Sequence, residues 1–186
     1  EDRIVTISRA LRSTTFPANF MLVAALNPCP CGFRGDPRRT CTCNSTQIER
    51  YMSRISGPLL DRIDIHIEVP AVPFEELSSK QDGTSSATIR QSVELARATQ
   101  KIRFGNSSLY NAQMSSRQLR EFCPLERSCR AMLQNCCNDL GLSARAHDKI
   151  LRVSRTIADL DDSPEIQETH LQEAINYRML DRNLFA

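Results

Sequence analysis

The sequence has 186 residues, of which 40% are hydrophobic and 25% are charged, a composition that is ordinary for a globular protein. This length allows one or two domains with a hydrophobic core. It contains no long apolar run and opens on no signal-type segment, so a membrane or secreted protein has no support and a cytoplasmic location is expected. The net charge of +2 is too small to indicate nucleic-acid binding, although 21 of the 24 basic residues are arginine, which suits phosphate.

The first third of the chain has the apolar patterns of β-strands. Residues 4–9 form a short β-type run, and residues 11–15 are predicted to form the tip of a hairpin. Residues 20–26 are uniformly apolar, as in a strand that is buried on both faces of a parallel sheet. Residues 63–69 alternate strictly between apolar and polar side chains, which predicts a half-buried strand.

Helical patterns dominate the remainder of the chain. A capping box formed by Thr46 and Glu49 predicts a helix that runs through Ile55. Residues 75–85 are polar and read as a linker. After this linker, the hydrophobic spacing predicts helices near residues 86–104, 116–122, 125–140, 144–161 and 169–180. Gly141 is expected to end the third of them in a left-handed conformation.

The eight cysteines fall into two groups of four. The first group lies in a loop rich in proline, glycine and arginine: Cys29, Cys31, Cys41 and Cys43. Two Cys-x-Cys pairs separated by nine residues can supply the four thiolates of a closed, structural zinc site, although a reduced loop or two disulfides would also explain them. The second group has the spacing of a buried helix face and is interpreted as packing: Cys123, Cys129, Cys136 and Cys137.

Three polar side chains are candidates for a nucleotide site, and each also has an ordinary structural explanation. Asn27 follows the predicted strand 20–26, where α/β sheets bind ligands, but Asn-Pro also simply ends strands. Arg62 lies between a Gly-Pro turn and the next predicted strand, where a surface salt bridge would account for it equally well. Arg145 begins a predicted helix, away from the core stripe that we assign to Ile150, Val153, Ile157 and Leu160.

Several long motifs occur in an order that matches a known family. They are LVAALNPCPCGFRGD, C-T-C, RYMSRISGPLLDRIDIHIEVP and LSARAHDKILRVSRTIADL. Together they resemble the magnesium-chelatase-like AAA+ ATPases of bacteria, and most closely the type that is linked to DNA branch migration during natural transformation. The resemblance covers nearly the whole chain.

The resemblance implies a role for each matching residue. Asn27 would be sensor 1, which monitors the γ-phosphate of ATP, and Arg145 would be the sensor 2 arginine of a helical lid. Arg62 would be an arginine finger that reaches into the nucleotide site of a neighbouring subunit. The hairpin would project into a central channel, where Arg9 and Arg12 would contact DNA.

The sequence departs from the family in one respect that decides activity. It contains no Gly-x-x-x-x-Gly-Lys-Ser/Thr loop and no acidic strand for magnesium, so the chain is expected to be the C-terminal portion of a larger ATPase and to be inactive alone. In the larger protein, the resemblance implies ATP, Mg²⁺ and a homo-oligomeric ring, expected to be a hexamer, that acts on DNA. The alternatives are a motor for metal insertion into a porphyrin, and a zinc-bearing binding module without ATPase activity.

The expected fold class is α+β, mostly α. Residues 1–74 would be the C-terminal part of an AAA+ α/β core, with few strands, the hairpin and the cysteine loop. Residues 75–85 would be a linker, and residues 86–186 would form an all-α lid bundle.

Overall fold

A computed structural model describes residues 3–9, 12–74, 83–105 and 108–178. These residues form two strands, β1 (Ile4–Arg9) and β2 (Arg12–Pro17), and a 3₁₀ helix (Asn111–Gln113). They also form seven α-helices: α1 (Ser45–Met52), α2 (Gly57–Leu60), α3 (Ser86–Phe104), α4 (Ser116–Phe122), α5 (Arg127–Leu140), α6 (Ala144–Leu160) and α7 (Glu168–Asn176). Helices are therefore the main regular structure of the described part of the chain, and none of them has the length and apolar character needed to cross a membrane.

The hairpin is an exposed two-stranded ribbon. Strands β1 and β2 pair antiparallel, with Ile4 opposite Pro17 and Arg9 opposite Arg12. Hydroxyl pairs on facing threonines and serines add cross-strand hydrogen bonds of 2.9 Å. The expectation that residues 11–15 form the tip was wrong for residues 12–15, which belong to β2, while Leu11 lies outside the described residues.

The two other predicted strands were wrong. Residues 20–26 and 63–69 have no regular secondary structure, and most of their apolar side chains face solvent, with Met21 88% and Val69 82% exposed. A strand is completed by the backbone hydrogen bonds of a neighbour. Among the described residues, β1 and β2 pair only with each other, so neither apolar segment has a partner strand.

Helix α1 begins two residues earlier than the predicted capping box implies, and a different pair of side chains caps it. The Asn44 side chain accepts a hydrogen bond from the Gln47 amide at 2.9 Å, and the Gln47 side chain accepts one from the Asn44 amide at 3.0 Å. This reciprocal box replaces the predicted one at Thr46 and Glu49. The helix ends at Met52 rather than at Ile55.

The helical region is built around α6, which packs against α3, α4, α7 and the 3₁₀ helix. Its helices begin within two residues of the predicted positions, α7 ends at Asn176 rather than at residue 180, and Gly141 ends α5 with φ +55° as expected. One core assignment was wrong, because Leu160 is half exposed at the end of α6. The residues buried together in the core are Met114, Leu119, Cys123, Cys129, Leu133, Ile150, Leu151, Ala158, Ile166, Leu171, Ala174 and Ile175.

The four helical cysteines pack as the sequence predicts. Cys123 and Cys129 are buried in the core, and Cys136 and Cys137 lie partly buried against it. Burial raises the pKa of Cys123 to about 11, because the thiolate would lose its hydration there. These thiols therefore behave as small apolar side chains.

A buried carboxylate joins α3 to α6. Asp159 accepts hydrogen bonds from Arg103 at 2.5 and 2.7 Å, from Asn111 at 2.7 Å and from Arg155 at 3.1 Å. Its side chain is fully buried, so the two guanidinium groups compensate for its lost hydration. The helical pattern predicts both helices, whereas this network was not predicted from the sequence.

The network predicts a large effect on stability for a single atom change. Asp159→Asn should lower the free energy of unfolding by about 3–5 kcal/mol, because it leaves two buried guanidinium groups without their counter-charge. Asp162→Asn, at an exposed position just after α6, is the matched control and should change it by about 0.5 kcal/mol or less. Urea unfolding followed by circular dichroism measures both. Equal stabilities of the two variants would contradict this account of the network.

Candidate functional site

Residues 61–66, here called the Arg62 segment, follow the short helix α2. Pro58 lies in the first turn of α2 and Leu60 is buried at its end, so the backbone that leads into the segment is fixed. Arg62 itself is exposed, and its Nη1 donates to the Pro58 carbonyl oxygen at 2.7 Å. Within the described part of the chain, its hydrogen-bond partner is a carbonyl and not a carboxylate. The guanidinium is therefore accessible to an anion from outside.

Lys149 holds the backbone of the Arg62 segment from α6. Its Nζ donates to the Arg62 carbonyl oxygen and, at 2.6 Å, to Asp64 Oδ1. Lys149 is only 6% exposed, whereas the Asp64 side chain is largely in solvent. A buried ammonium is thus satisfied by one backbone carbonyl and one carboxylate of the same short segment.

Arg178 holds the same segment from the end of α7. Its Nη1 donates to the Ile63 carbonyl oxygen, and its Nη2 donates to Asp61 Oδ1 at 3.3 Å. Arg178 is 2% exposed. The next contact is between main chains, where the His66 amide donates to the Tyr177 carbonyl oxygen at 2.9 Å. Helix α6 and the turn that follows α7 therefore hold residues 61–66 through both backbone and side-chain contacts.

Arg145 lies in the first turn of α6, beside the Arg62 segment. Its Nη1 is 3.5 Å from Asp61 Oδ2, and its side chain is 41% exposed. Ser143, the N-cap residue of α6, donates its hydroxyl to Asp61 Oδ1 at 3.2 Å. The structure thus brings two of the predicted site residues, Arg62 and Arg145, close to Asp61. The part of Asp61 in the site was not predicted from the sequence. The signal that could have identified Asp61 is the run Leu-Leu-Asp-Arg, in which it directly precedes Arg62.

Asn27 does not join this group. It follows the unpaired segment 20–26, is exposed, and lies beside Gly32, where an added Cβ would be 3.9 Å from its side chain. Its predicted position at the carboxyl end of a sheet strand was wrong for the described residues, since no sheet is formed there. Its role as sensor 1 stays a prediction.

The four loop cysteines lie together and form the thiol cluster. Their sulfurs are all within 4.8 Å of one another, and those of Cys29, Cys31 and Cys41 lie 3.3, 3.5 and 3.7 Å apart in pairs. In a tetrahedral site with Zn–S bonds of about 2.3 Å, neighbouring sulfurs lie about 3.8 Å apart. The cluster also includes Cys43, so four thiols have nearly the spacing of a tetrahedral metal site.

The pKa values of the cluster differ from one thiol to the next. Backbone N–H groups of Phe33 and Thr42 hold the pKa of Cys31 at about 5, because they stabilise the thiolate. Burial raises the pKa of Cys43 to about 12. Four adjacent thiolates repel one another, so a cation would favour the ionised form of all four. The donor set and its spacing fit a zinc ion.

Arg9 and Arg12 face each other at one end of the hairpin. They are the last residue of β1 and the first residue of β2, they pair in the register, and both are exposed. The two arginines therefore lie opposite each other at the same end of the ribbon. This arrangement suits phosphate contacts, and the DNA role stays a prediction.

Comparison with known proteins identifies the family. Residues 1–77 match the family described as "Magnesium chelatase, subunit ChlI", and residues 83–178 match "Magnesium chelatase, subunit ChlI C-terminal". The Escherichia coli (strain K12) protein YifB and the Haemophilus influenzae competence protein ComM are each 43% identical over 182 residues. The Mycobacterium tuberculosis protein Rv2897c is 37% identical over 184 residues.

These matches cover nearly all of this chain but only part of each relative. They span 96–97% of the chain and 35% of each of the three relatives. The match over residues 1–77 includes the thiol cluster and Arg62. The match over residues 83–178 includes Arg145, Lys149 and Arg178. The chain belongs to the magnesium-chelatase-like family.

Proposed function

We propose that the chain is the sensor, finger and lid portion of a ring-forming AAA+ ATPase that acts on DNA. The observation that carries the proposal is Arg62, an exposed guanidinium on a backbone that buried cations hold in place. The chain spans about a third of the length of its relatives, and it has no phosphate-binding loop of its own. In this proposal the remaining length supplies that loop, ATP and Mg²⁺.

The accessibility of Arg62 supports a role in a neighbouring subunit. Phosphoryl transfer develops charge on the γ-phosphate oxygens, and an arginine supplied in trans can raise the rate by about 10³–10⁵. Such an arginine must be exposed in its own subunit and must be presented reproducibly. Arg62 meets both requirements, because its nearest partner is a carbonyl of its own helix α2. A site completed by a neighbour implies a ring, for which we propose a hexamer.

The ion pair of Arg145 supports its assignment as a lid sensor. At 3.5 Å and 41% exposed, its pairing with Asp61 is a weak contact that a phosphate oxygen can replace. Binding of the γ-phosphate would draw Arg145 away from Asp61, and hydrolysis would return it. The lid would thus respond to the nucleotide through one guanidinium.

The exposed apolar segments support a place within a larger sheet. Residues 20–26 and 63–69 have the composition of buried strands, yet they face solvent along most of their length. Apolar patches of this kind mark surfaces that another element covers. We propose that the rest of the ATPase core covers both segments and that Asn27 lies at the nucleotide there as sensor 1.

The family leaves one competing function. The family takes its name from magnesium chelatase, which favours a motor for metal insertion into a porphyrin, whereas the relative from Haemophilus influenzae is named a competence protein. The paired arginines at the hairpin end favour the DNA-acting motor, because they offer two phosphate contacts at one place. Stimulation of ATP hydrolysis by DNA distinguishes the two functions.

The first prediction of the proposed function concerns ATP turnover. In the longer protein that carries this chain, Arg62→Ala should lower ATP turnover at least about tenfold and leave nucleotide affinity nearly unchanged, because the finger acts only on the transition state. Arg54→Ala, at another exposed arginine, is the control. Mixing Arg62→Ala subunits with subunits that lack a working phosphate loop should restore part of the activity. Normal turnover of the Arg62 variant would rule out the finger.

The second prediction concerns DNA. Arg9→Ala combined with Arg12→Ala should weaken binding to all DNA sequences and flatten its dependence on salt, because two phosphate contacts are lost. The matched control is Arg117→Ala with Arg120→Ala, on the exposed face of α4. Fluorescence anisotropy over a salt series measures both. Unchanged affinity of the hairpin variant would remove the hairpin from the DNA-binding surface.

The third prediction concerns the thiol cluster, which we propose holds one structural zinc ion. Elemental analysis of the chain should find about one zinc, and Cys29→Ser with Cys41→Ser should abolish it, because two of four ligands are lost. Cys136→Ser with Cys137→Ser is the control and should retain the metal. Chelation should disorder residues 29–43 while the helical signal persists. Protein without metal whose loop stays ordered would contradict the site.

A further inference from the structure

Two buried cationic side chains of the helical region donate hydrogen bonds to the backbone of the Arg62 segment. Lys149 and Arg178 donate to the carbonyl oxygens of Arg62 and Ile63, two consecutive residues. Burying a cation is unfavourable unless hydrogen bonds replace its hydration, and an apolar side chain would often stabilise the fold as well. Their buried positions are therefore better explained by the backbone that they hold than by stability alone.

We infer that Lys149 and Arg178 are positioning residues that couple the helical lid to Arg62. This inference rests on the proposed function, in which Arg145 senses nucleotide and Arg62 acts in the adjacent site. Through these two cations, a movement of the lid in one subunit would move the finger that serves the next subunit.

The geometry of α6 provides the coupling. Arg145 and Lys149 are four residues apart, so they lie on the same face of the helix one turn from each other. Together with the N-cap hydroxyl of Ser143, they contact Asp61, Arg62 and Asp64. Three side chains from the first turns of one rigid helix thus hold one short segment. When α6 tilts, the backbone at Arg62 must tilt with it.

Helix α7 holds the other side of the same segment. Arg178 contacts Asp61 and Ile63, and the Tyr177 carbonyl oxygen accepts the His66 amide. Helices α6 and α7 also pack closely against each other. Because the two helices pack together, a movement of the pair would carry the segment with it. What remains free to reach another molecule is the guanidinium of Arg62.

In this coupling, the residue that senses the nucleotide and the residue that acts on it serve different nucleotide sites. Arg145 responds to a phosphate in one site, and its movement alters α6, whose Lys149 sets the backbone of Arg62. The change would alter catalysis in the neighbouring site, so ATP hydrolysis around the ring would be sequential rather than independent. Energetic coupling of this kind requires a physical element that both sites bias, and α6 with the Arg62 segment is that element.

The test uses Lys149→Met in the longer protein, because methionine keeps the apolar stem and removes the charge. ATP turnover should fall about tenfold while the KM for ATP changes less than about twofold, since the variant's own phosphate site is intact. Lys149→Arg should retain part of the turnover, because it still donates to the carbonyl. Lys101→Met, at an exposed lysine on α3, should behave as wild type.

Mixed rings identify which function is lost. Lys149→Met subunits should be rescued by subunits that lack a working phosphate loop, because those subunits donate a sound finger. They should not be rescued by Arg62→Ala subunits, because neither partner then supplies a working finger. Rescue by Arg62→Ala subunits would show that Lys149→Met fingers work, and would overturn the coupling.

A second variant covers the outcome in which Lys149→Met does not fold. Asp64→Asn replaces the carboxylate partner of Lys149 with an amide oxygen that can still accept its hydrogen bond, while the bond from Lys149 to the Arg62 carbonyl remains. It should produce a smaller loss with the same pattern of rescue. In the chain itself, amide exchange of residues 61–66 should accelerate at least about tenfold in Lys149→Met, and unchanged exchange would overturn the inference. If the wild-type protein has no ATPase activity, the proposed function is refuted. If the wild-type protein is active and the Arg62 finger of Lys149→Met subunits still works, only the coupling is refuted.

Discussion

The docking of residues 61–66 on α6 and α7 is the interaction on which the candidate site depends. Two buried cations, Lys149 and Arg178, donate to consecutive backbone carbonyls, so the position of Arg62 is set by the main chain and not by its own side chain. This arrangement leaves the guanidinium exposed while its base is fixed. It also joins the hairpin-and-loop part of the chain to the helical bundle through charge-assisted hydrogen bonds, which are stronger and more directional than apolar contacts.

The thiol loop is organised by a different constraint. Cys29 is fully buried, yet the loop around it offers few apolar side chains, so the four thiols take the place of a hydrophobic core. A cation at their centre would fix residues 29–43, and Asn27 stands at the entrance to this loop beside Gly32. The proposed zinc would therefore stabilise the surroundings of the proposed sensor without taking part in chemistry, as expected for a site with four protein ligands.

The sequence predicted helices well and strands poorly, for a physical reason. The apolar stripe of α6 and the glycine after α5 are local patterns, and the bundle satisfies them within the chain. The strands predicted at 20–26 and 63–69 require partner strands, and the described residues provide none. The exposed position of Arg62 could be anticipated from its turn, whereas its docking could not, because Lys149 and Arg178 lie 87 and 115 residues from the carbonyls that they bind.

The central claim is that Arg62 is presented to a neighbouring nucleotide site. The most direct measurement is an electron cryo-microscopy structure of the longer protein, assembled with a non-hydrolysable ATP analogue. The account predicts that the Arg62 guanidinium lies about 2.7–2.9 Å from a γ-phosphate oxygen bound by the adjacent subunit. It also predicts that Lys149 and Arg178 retain their bonds to the Arg62 and Ile63 carbonyls. An Arg62 that faces its own subunit's nucleotide, or no nucleotide, would contradict the account.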